Sequence, residues 1–129
     1  MSTLDDNQTT GRAPVTARVS AALTELIAQA DALLSQHPEA LLARADRADQ
    51  LAMICARRAG WWRLLLTSAH RQTVPDLYRR AVIAAGFEQH DQARFWRDTA
   101  ADWRAQATRQ PTSDAAGAMS NHHDLGIAS

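Results

Sequence analysis

The sequence predicts an all-α fold, a small bundle of about four helices with disordered N- and C-terminal tails. Ala, Leu, Arg and Gln dominate the composition, and these residues are among the best helix formers. Residues typical of strands are scarce, with one Tyr, two Phe and few Val, Ile or Thr in runs. Apolar residues also recur at spacings of three and four, which is the period of an amphipathic helix.

The length of 129 residues suits a single domain, which we place at 14–110 as a helical bundle. The flanking segments 1–13 and 111–129 are poor in apolar side chains, so we expect two disordered tails. The first residues show no signal-peptide pattern, and no apolar run approaches the roughly 20 residues that a membrane span needs. We therefore expect a cytoplasmic protein without a membrane partner. A single cysteine, Cys55, excludes an intramolecular disulfide.

The first helix is predicted over 15–35. Pro14 suits its start, and Pro38 ends it because the residue before a proline is pushed out of helical geometry. One stripe of this helix is apolar and keeps spacings of four and three, so we expect it to face the core. Its residues are Val19, Leu23, Leu26, Ala30 and Leu33.

The second helix is predicted over 38–72, with Pro38 in its first turn and no break at Gly60. A heptad-spaced apolar seam runs through it without losing phase. The seam consists of Leu41, Ala45, Ala48, Ala52, Cys55, Ala59, Trp62, Leu66 and Ala69. Small residues line its first half, so another helix can approach closely there. We expect short neighbouring helices to leave part of this groove uncovered, and Cys55 to be a buried, unreactive thiol.

Two shorter helices are predicted after this, over 75–85 and 91–109. Thr73 and Asp76 form a good start signal, and Gly86 suits a left-handed stop. The polar residues 88–91 then predict a short turn. The last helix has its own apolar stripe, with Trp96 and Trp103 as expected core anchors beside Ala100 and Ala107.

Motifs for catalysis or cofactor binding are missing. The five glycines never cluster into a phosphate-binding loop, and no His-Glu-x-x-His motif occurs. The paired carboxylates at 46 and 49, and at 98 and 102, lie among arginines, so we interpret them as solvated ion-pair faces. His122 and His123 fall in a predicted tail without fixed geometry. We expect no enzyme, no catalytic residue, no metal ligand and no cofactor.

The stretch 57–80 has six Arg and one acidic residue, and it interleaves them with aromatic side chains. Guanidinium groups beside aromatic rings can hold phosphate and stack on bases. The same arginines can also simply solvate the outer faces of helices, and both interpretations stay open. The candidate partner-binding residues are Arg57, Arg58, Trp61, Arg63, His70, Arg71, Tyr78, Arg79, Arg80 and Phe95.

Our favoured hypothesis is a non-enzymatic helical protein–protein interaction module, which is an adaptor, a regulator or a self-associating subunit. The small-residue seam motivates it, together with Trp61 and Phe95, which we expect to be exposed beside arginine. The alternative is a nucleic-acid-binding accessory or regulatory protein that uses the Arg-rich 57–80 surface. The third hypothesis is an enzyme or small-ligand carrier, which requires a deep pocket lined by Trp62, His70 or Tyr78.

Overall fold

The computed structural model of the chain describes residues 13–109, and this part of the chain forms three α-helices and no strand. Helix α1 spans Val15–Leu34, α2 spans Leu41–His70 and α3 spans Asp76–Arg109. The all-α class is confirmed. The predicted number of four helices is wrong, because the residues assigned to two short helices form one long helix.

The two predicted tails, 1–13 and 111–129, lie outside the described residues apart from Ala13. Among the helices that are described, none combines the length and the apolar character needed to cross a membrane.

Helix α3 runs without a break through Gly86, where the sequence predicted a stop. A Cβ atom added to Gly86 would lie 3.6 Å from Cβ of Trp62, so the glycine lies where α3 approaches α2 closely. The core-facing stripe of α3 therefore keeps spacings of four and three along nearly its whole length. It consists of Val82, Gly86, Gln89, Ala93, Trp96, Ala100, Trp103 and Ala107.

Helix α2 is continuous through Gly60, as predicted, but it begins at Leu41 rather than at Pro38. Pro38 belongs to the connection from α1, and two arginines of α2 hold this connection. Arg44 Nε donates to the Pro38 carbonyl over 2.8 Å, and Arg47 Nη1 donates to the Gln36 carbonyl. These bonds satisfy carbonyls that the non-helical connection leaves without partners.

Helix α2 lies in the middle, with α1 and α3 packed antiparallel to it on neighbouring sides. Val19 near the start of α1 clusters with Leu65 near the end of α2, and Leu26 clusters with Leu51. No Cα atom of α1 lies within 8 Å of a Cα atom of α3. Side chains alone therefore bridge α1 and α3, as Val82 does beside Val19 and Leu65.

The predicted seams form the core, but the small-residue half of the α2 seam is fully covered. Ala45 and Ala48 of α2 and Ala100 of α3 are completely buried, and the rings of Trp96 and Trp103 pack against them. Within residues 13–109, the small-residue half shows no uncovered groove, because α3 is one helix long enough to cover it. Trp62 and Leu66 in the other half are half-buried and line an open groove beside α3. Trp96 and Trp103, predicted as core anchors, are half-buried and pack against the alanine cluster.

Candidate protein-interaction surface

The side of α2 that faces away from α1 and α3 carries its own stripe at spacings of four and three. We call this stripe, with its flanking residues Arg57, Leu64 and Arg71, the α2 outer face. All of its side chains are exposed except that of Asp49, which is half-buried. Within residues 13–109, no helix packs on top of it, although Arg104 of α3 reaches its acidic end and Met53 borders a groove beside α1. The stripe consists of Leu42, Asp46, Asp49, Met53, Ala56, Gly60, Arg63, Thr67 and His70.

The middle of the α2 outer face is apolar, and small residues lie at its centre. Met53 is 56% exposed and Leu64 is 38% exposed, and Ala56 and Gly60 lie between them. A Cβ atom added to Gly60 would meet no atom within 4 Å. The backbone of another helix can therefore approach this part of α2 closely, with two large apolar side chains beside it.

The N-terminal end of the α2 outer face is acidic. Asp46 and Asp49 share one guanidinium group, that of Arg104 on α3, whose Nη2 lies 3.1 Å from Asp46 Oδ1. The hydrogen bond to Asp49 is the main cause that raises the pKa of Arg104. Two carboxylates with one guanidinium leave a net negative charge at this end.

The C-terminal end of the same face is basic. Arg71 is exposed there beside His70, and Arg57 and Arg63 are exposed at the sides of the apolar middle. None of these three arginines forms an ion pair with another residue in the described range 13–109. The α2 outer face therefore has opposite charges at its two ends and an apolar middle.

The structure does not bring all the predicted partner-binding residues of α2 onto one surface. Arg57, Arg63, His70 and Arg71 share the outer face, but Arg58 is half-buried, and its Nε is buried without an acceptor among the described residues. The expectation that Trp61 is exposed is wrong. Its ring is half-buried because it packs against the clusters around both Leu51 and Leu65.

The predicted residues of α3 also lie apart from one another. Arg79 and Arg80 pair with Asp76 in the first turn, with N–O distances of 3.8 and 3.6 Å. Tyr78 lines a groove together with residues of α1 and α2. Phe95 is 59% exposed, as expected, and meets Trp96 edge to face at a centroid distance of 5.1 Å.

Cys55 is buried on the seam, as predicted. Burial raises the pKa of its thiol, and the nearby charge of Arg58 offsets part of this effect. The thiol Sγ lies 3.9 Å from Gln92 Oε1, its weak hydrogen-bond partner. A buried thiol with a raised pKa is a poor nucleophile, so the local chemistry opposes a catalytic role for Cys55.

Open grooves follow the contacts between the helices. The groove beside α1, where α1 and α2 meet Tyr78 of α3, has a volume of about 320 Å³, and its lining includes Trp62 and three hydroxyl-bearing residues of α1, but no charged side chain. A smaller groove of about 170 Å³ between α2 and α3 includes Arg63, Phe87 and His90. Within residues 13–109, no three His, Cys, Asp or Glu side chains come together to hold a metal ion.

No protein-family model, curated protein or solved structure matches this chain.

Sequence reasoning assigned no role to the apolar and acidic residues of the α2 outer face. Asp46 and Asp49 were interpreted only as solvated ion pairs, Gly60 was considered only for the continuity of its helix, and Met53 and Ala56 were not considered. Every one of these residues follows a core-seam residue by one position. The stripe is thus visible in the sequence, but its significance depends on which side of α2 remains free.

Proposed function

We propose that the chain is a non-enzymatic helical protein–protein interaction module that docks its partner on the α2 outer face. The observation that carries this proposal is the stripe from Leu42 to His70, apolar in the middle and charged at both ends, on which no helix of residues 13–109 packs. Protein interfaces commonly combine a centre that can be desolvated with a polar rim. The stripe has both parts along a single rigid helix.

The arrangement of the apolar residues supports docking over simple solvation. Single exposed apolar side chains are ordinary on protein surfaces. Here Met53, Ala56, Gly60 and Leu64 follow one another on one side of α2 within about three helical turns. A face that only meets water needs no such continuous apolar segment.

Site-specific photo-crosslinking in the native cells tests the proposal. A photoreactive residue replaces Met53 on the outer face, and the matched control carries it at Leu77, a 79% exposed apolar residue of α3. We expect discrete protein adducts from position 53 that are absent from position 77. Equal adduct patterns from both positions, or none from position 53, would contradict docking on this face.

Nucleic-acid binding is the second candidate function, because Arg57, Arg63 and Arg71 carry charges that no acidic residue of the described range neutralises. Binding of a fluorescent single-stranded oligonucleotide should then weaken steeply as salt rises. Replacing Arg63 and Arg71 by alanine should weaken it, while the same change at Arg79 and Arg80, which pair with Asp76, serves as the control. Absent or salt-insensitive binding excludes this function.

A further inference from the structure

We infer that the occupant of the α2 outer face is a second copy of this chain, docked with the two α2 helices antiparallel. The inference rests on the proposed function, because it assumes that this face binds protein. It goes further by naming the partner and its orientation. A symmetric pair of this kind uses the same surface on both copies, so the surface has to complement itself.

The charges of the face meet this requirement only in the antiparallel orientation. The acidic end, with Asp46 and Asp49, and the basic end, with His70 and Arg71, lie on opposite sides of the apolar middle, which Arg57 and Arg63 flank. Antiparallel docking places the acidic end of each copy against the basic end of the other. Parallel docking would place each end against its like, which is unfavourable.

The dimensions of the helix agree with this pairing. The centre of the apolar middle falls between Ala56 and Gly60, twelve residues from both Asp46 and His70. At a rise of about 1.5 Å per residue, both residues lie about 18 Å from that centre. A two-fold axis through the centre therefore brings Asp46 of one copy opposite His70 and Arg71 of the other.

The middle of the face allows close contact at the axis. Gly60 is surrounded by open space, and Ala56 adds only a methyl group, so the two helix backbones can approach closely. Met53 and Leu64 of each copy then lie beside the small residues and lose exposed apolar surface. Burial of this surface drives association, and the charged ends fix the orientation.

Charge reversal with mixing tests the inference on the purified, nuclease-treated full chain by sedimentation equilibrium. One variant carries Asp46→Arg, which keeps the pair between Asp49 and Arg104, and the other carries Arg71→Glu. The parent should dimerise, and each variant alone should associate about tenfold or more weakly because like charges then meet. An equimolar mixture should form a heterodimer, because both end-to-end contacts again join opposite charges.

The control Leu77→Asp should dimerise like the parent, and circular dichroism should show the parent's helical content in every variant. A parent that is monomeric at all concentrations overturns the inference. So does a dimer that both charge variants retain, or a mixture of folded variants that fails to associate. Crosslinks from position 53 to a different protein would then still support the interaction module, whereas their absence would remove both proposals.

Discussion

Replacing Gly86 by alanine should stabilise the protein, because Gly86 lies inside the 34-residue helix α3 and does not end a helix. Glycine in a helix interior costs about 0.5–1 kcal/mol relative to alanine. The added methyl group would lie 3.6 Å from Cβ of Trp62, which is an ordinary van der Waals distance. The expected gain is therefore about 0.5–1 kcal/mol, or a rise in Tm of about 2–8 °C for a domain of this size.

Thermal and urea unfolding followed by circular dichroism measure this gain. Gly60→Ala is the matched control, because nothing lies within 4 Å of its added methyl group and its gain comes from helix propensity alone. Both variants are compared with the parent at a concentration where the parent is monomeric. The contact between α2 and α3 at Gly86 is close but leaves room for a methyl group. This would be refuted if Gly86→Ala lowered the free energy of unfolding by about 1 kcal/mol or more while Gly60→Ala raised it.

Three further predictions concern the core. Gln89→Leu should raise the midpoint of urea unfolding, because the buried Oε1 of Gln89 has no hydrogen-bond partner among the described residues. A buried polar group without a partner costs about 1–3 kcal/mol of stability. A lower midpoint than that of the parent would contradict this. Leu51→Ala should cost about 2–5 kcal/mol because Leu51 is only 1% exposed. Leu77→Ala, at an exposed position, should change the free energy of unfolding by no more than about 0.5 kcal/mol. Equal losses of stability for Leu51→Ala and Leu77→Ala would contradict the burial of Leu51 in the core. Burial raises the pKa of Cys55, so the parent should lose stability as pH rises above the unfolded thiol value of about 8.5. Cys55→Ala should show a smaller loss in urea unfolding at successive pH values, and equal losses would contradict the burial effect.

The helices with an unbroken apolar pattern were predictable from the sequence. The stripe of α1 and the seam of α2 follow spacings of three and four, and burial of Val19, Leu26, Ala48 and Ala59 agrees with both. The continuity of α2 through Gly60 was predictable for the same reason, because the apolar phase is the same on both sides of the glycine.

The continuity of α3 was missed because two residues of its seam do not look like core residues. Gly86 resembles a helix stop and Gln89 resembles part of a polar turn, yet both keep the spacing from Val82 to Ala93. Glycine is accommodated there because Trp62 faces it across a close helix contact. The identity of the facing residue is a tertiary property, so local propensity could not reveal it.

The candidate surface was only partly predictable, because a linear stretch does not define a face. The stretch 57–80 winds around α2 and enters α3, so Arg57 and Arg63 lie on the outer face while Arg58 and Trp61 turn toward the core. The acidic end was overlooked because Asp46 and Asp49 lie earlier in the chain. Only the positions of α1 and α3 show which side of α2 stays free.

Amide NMR spectra of the isotope-labelled chain, recorded over a dilution series, test most directly whether the α2 outer face is the docking surface. We expect concentration-dependent shifts at Met53, Ala56, Gly60 and Leu64, with the amide of the exposed Phe95 on α3 unchanged. Shifts centred on Phe95 instead would contradict docking on this face. So would the absence of shifts at the outer face, both at high protein concentration and with a crosslinked partner protein added.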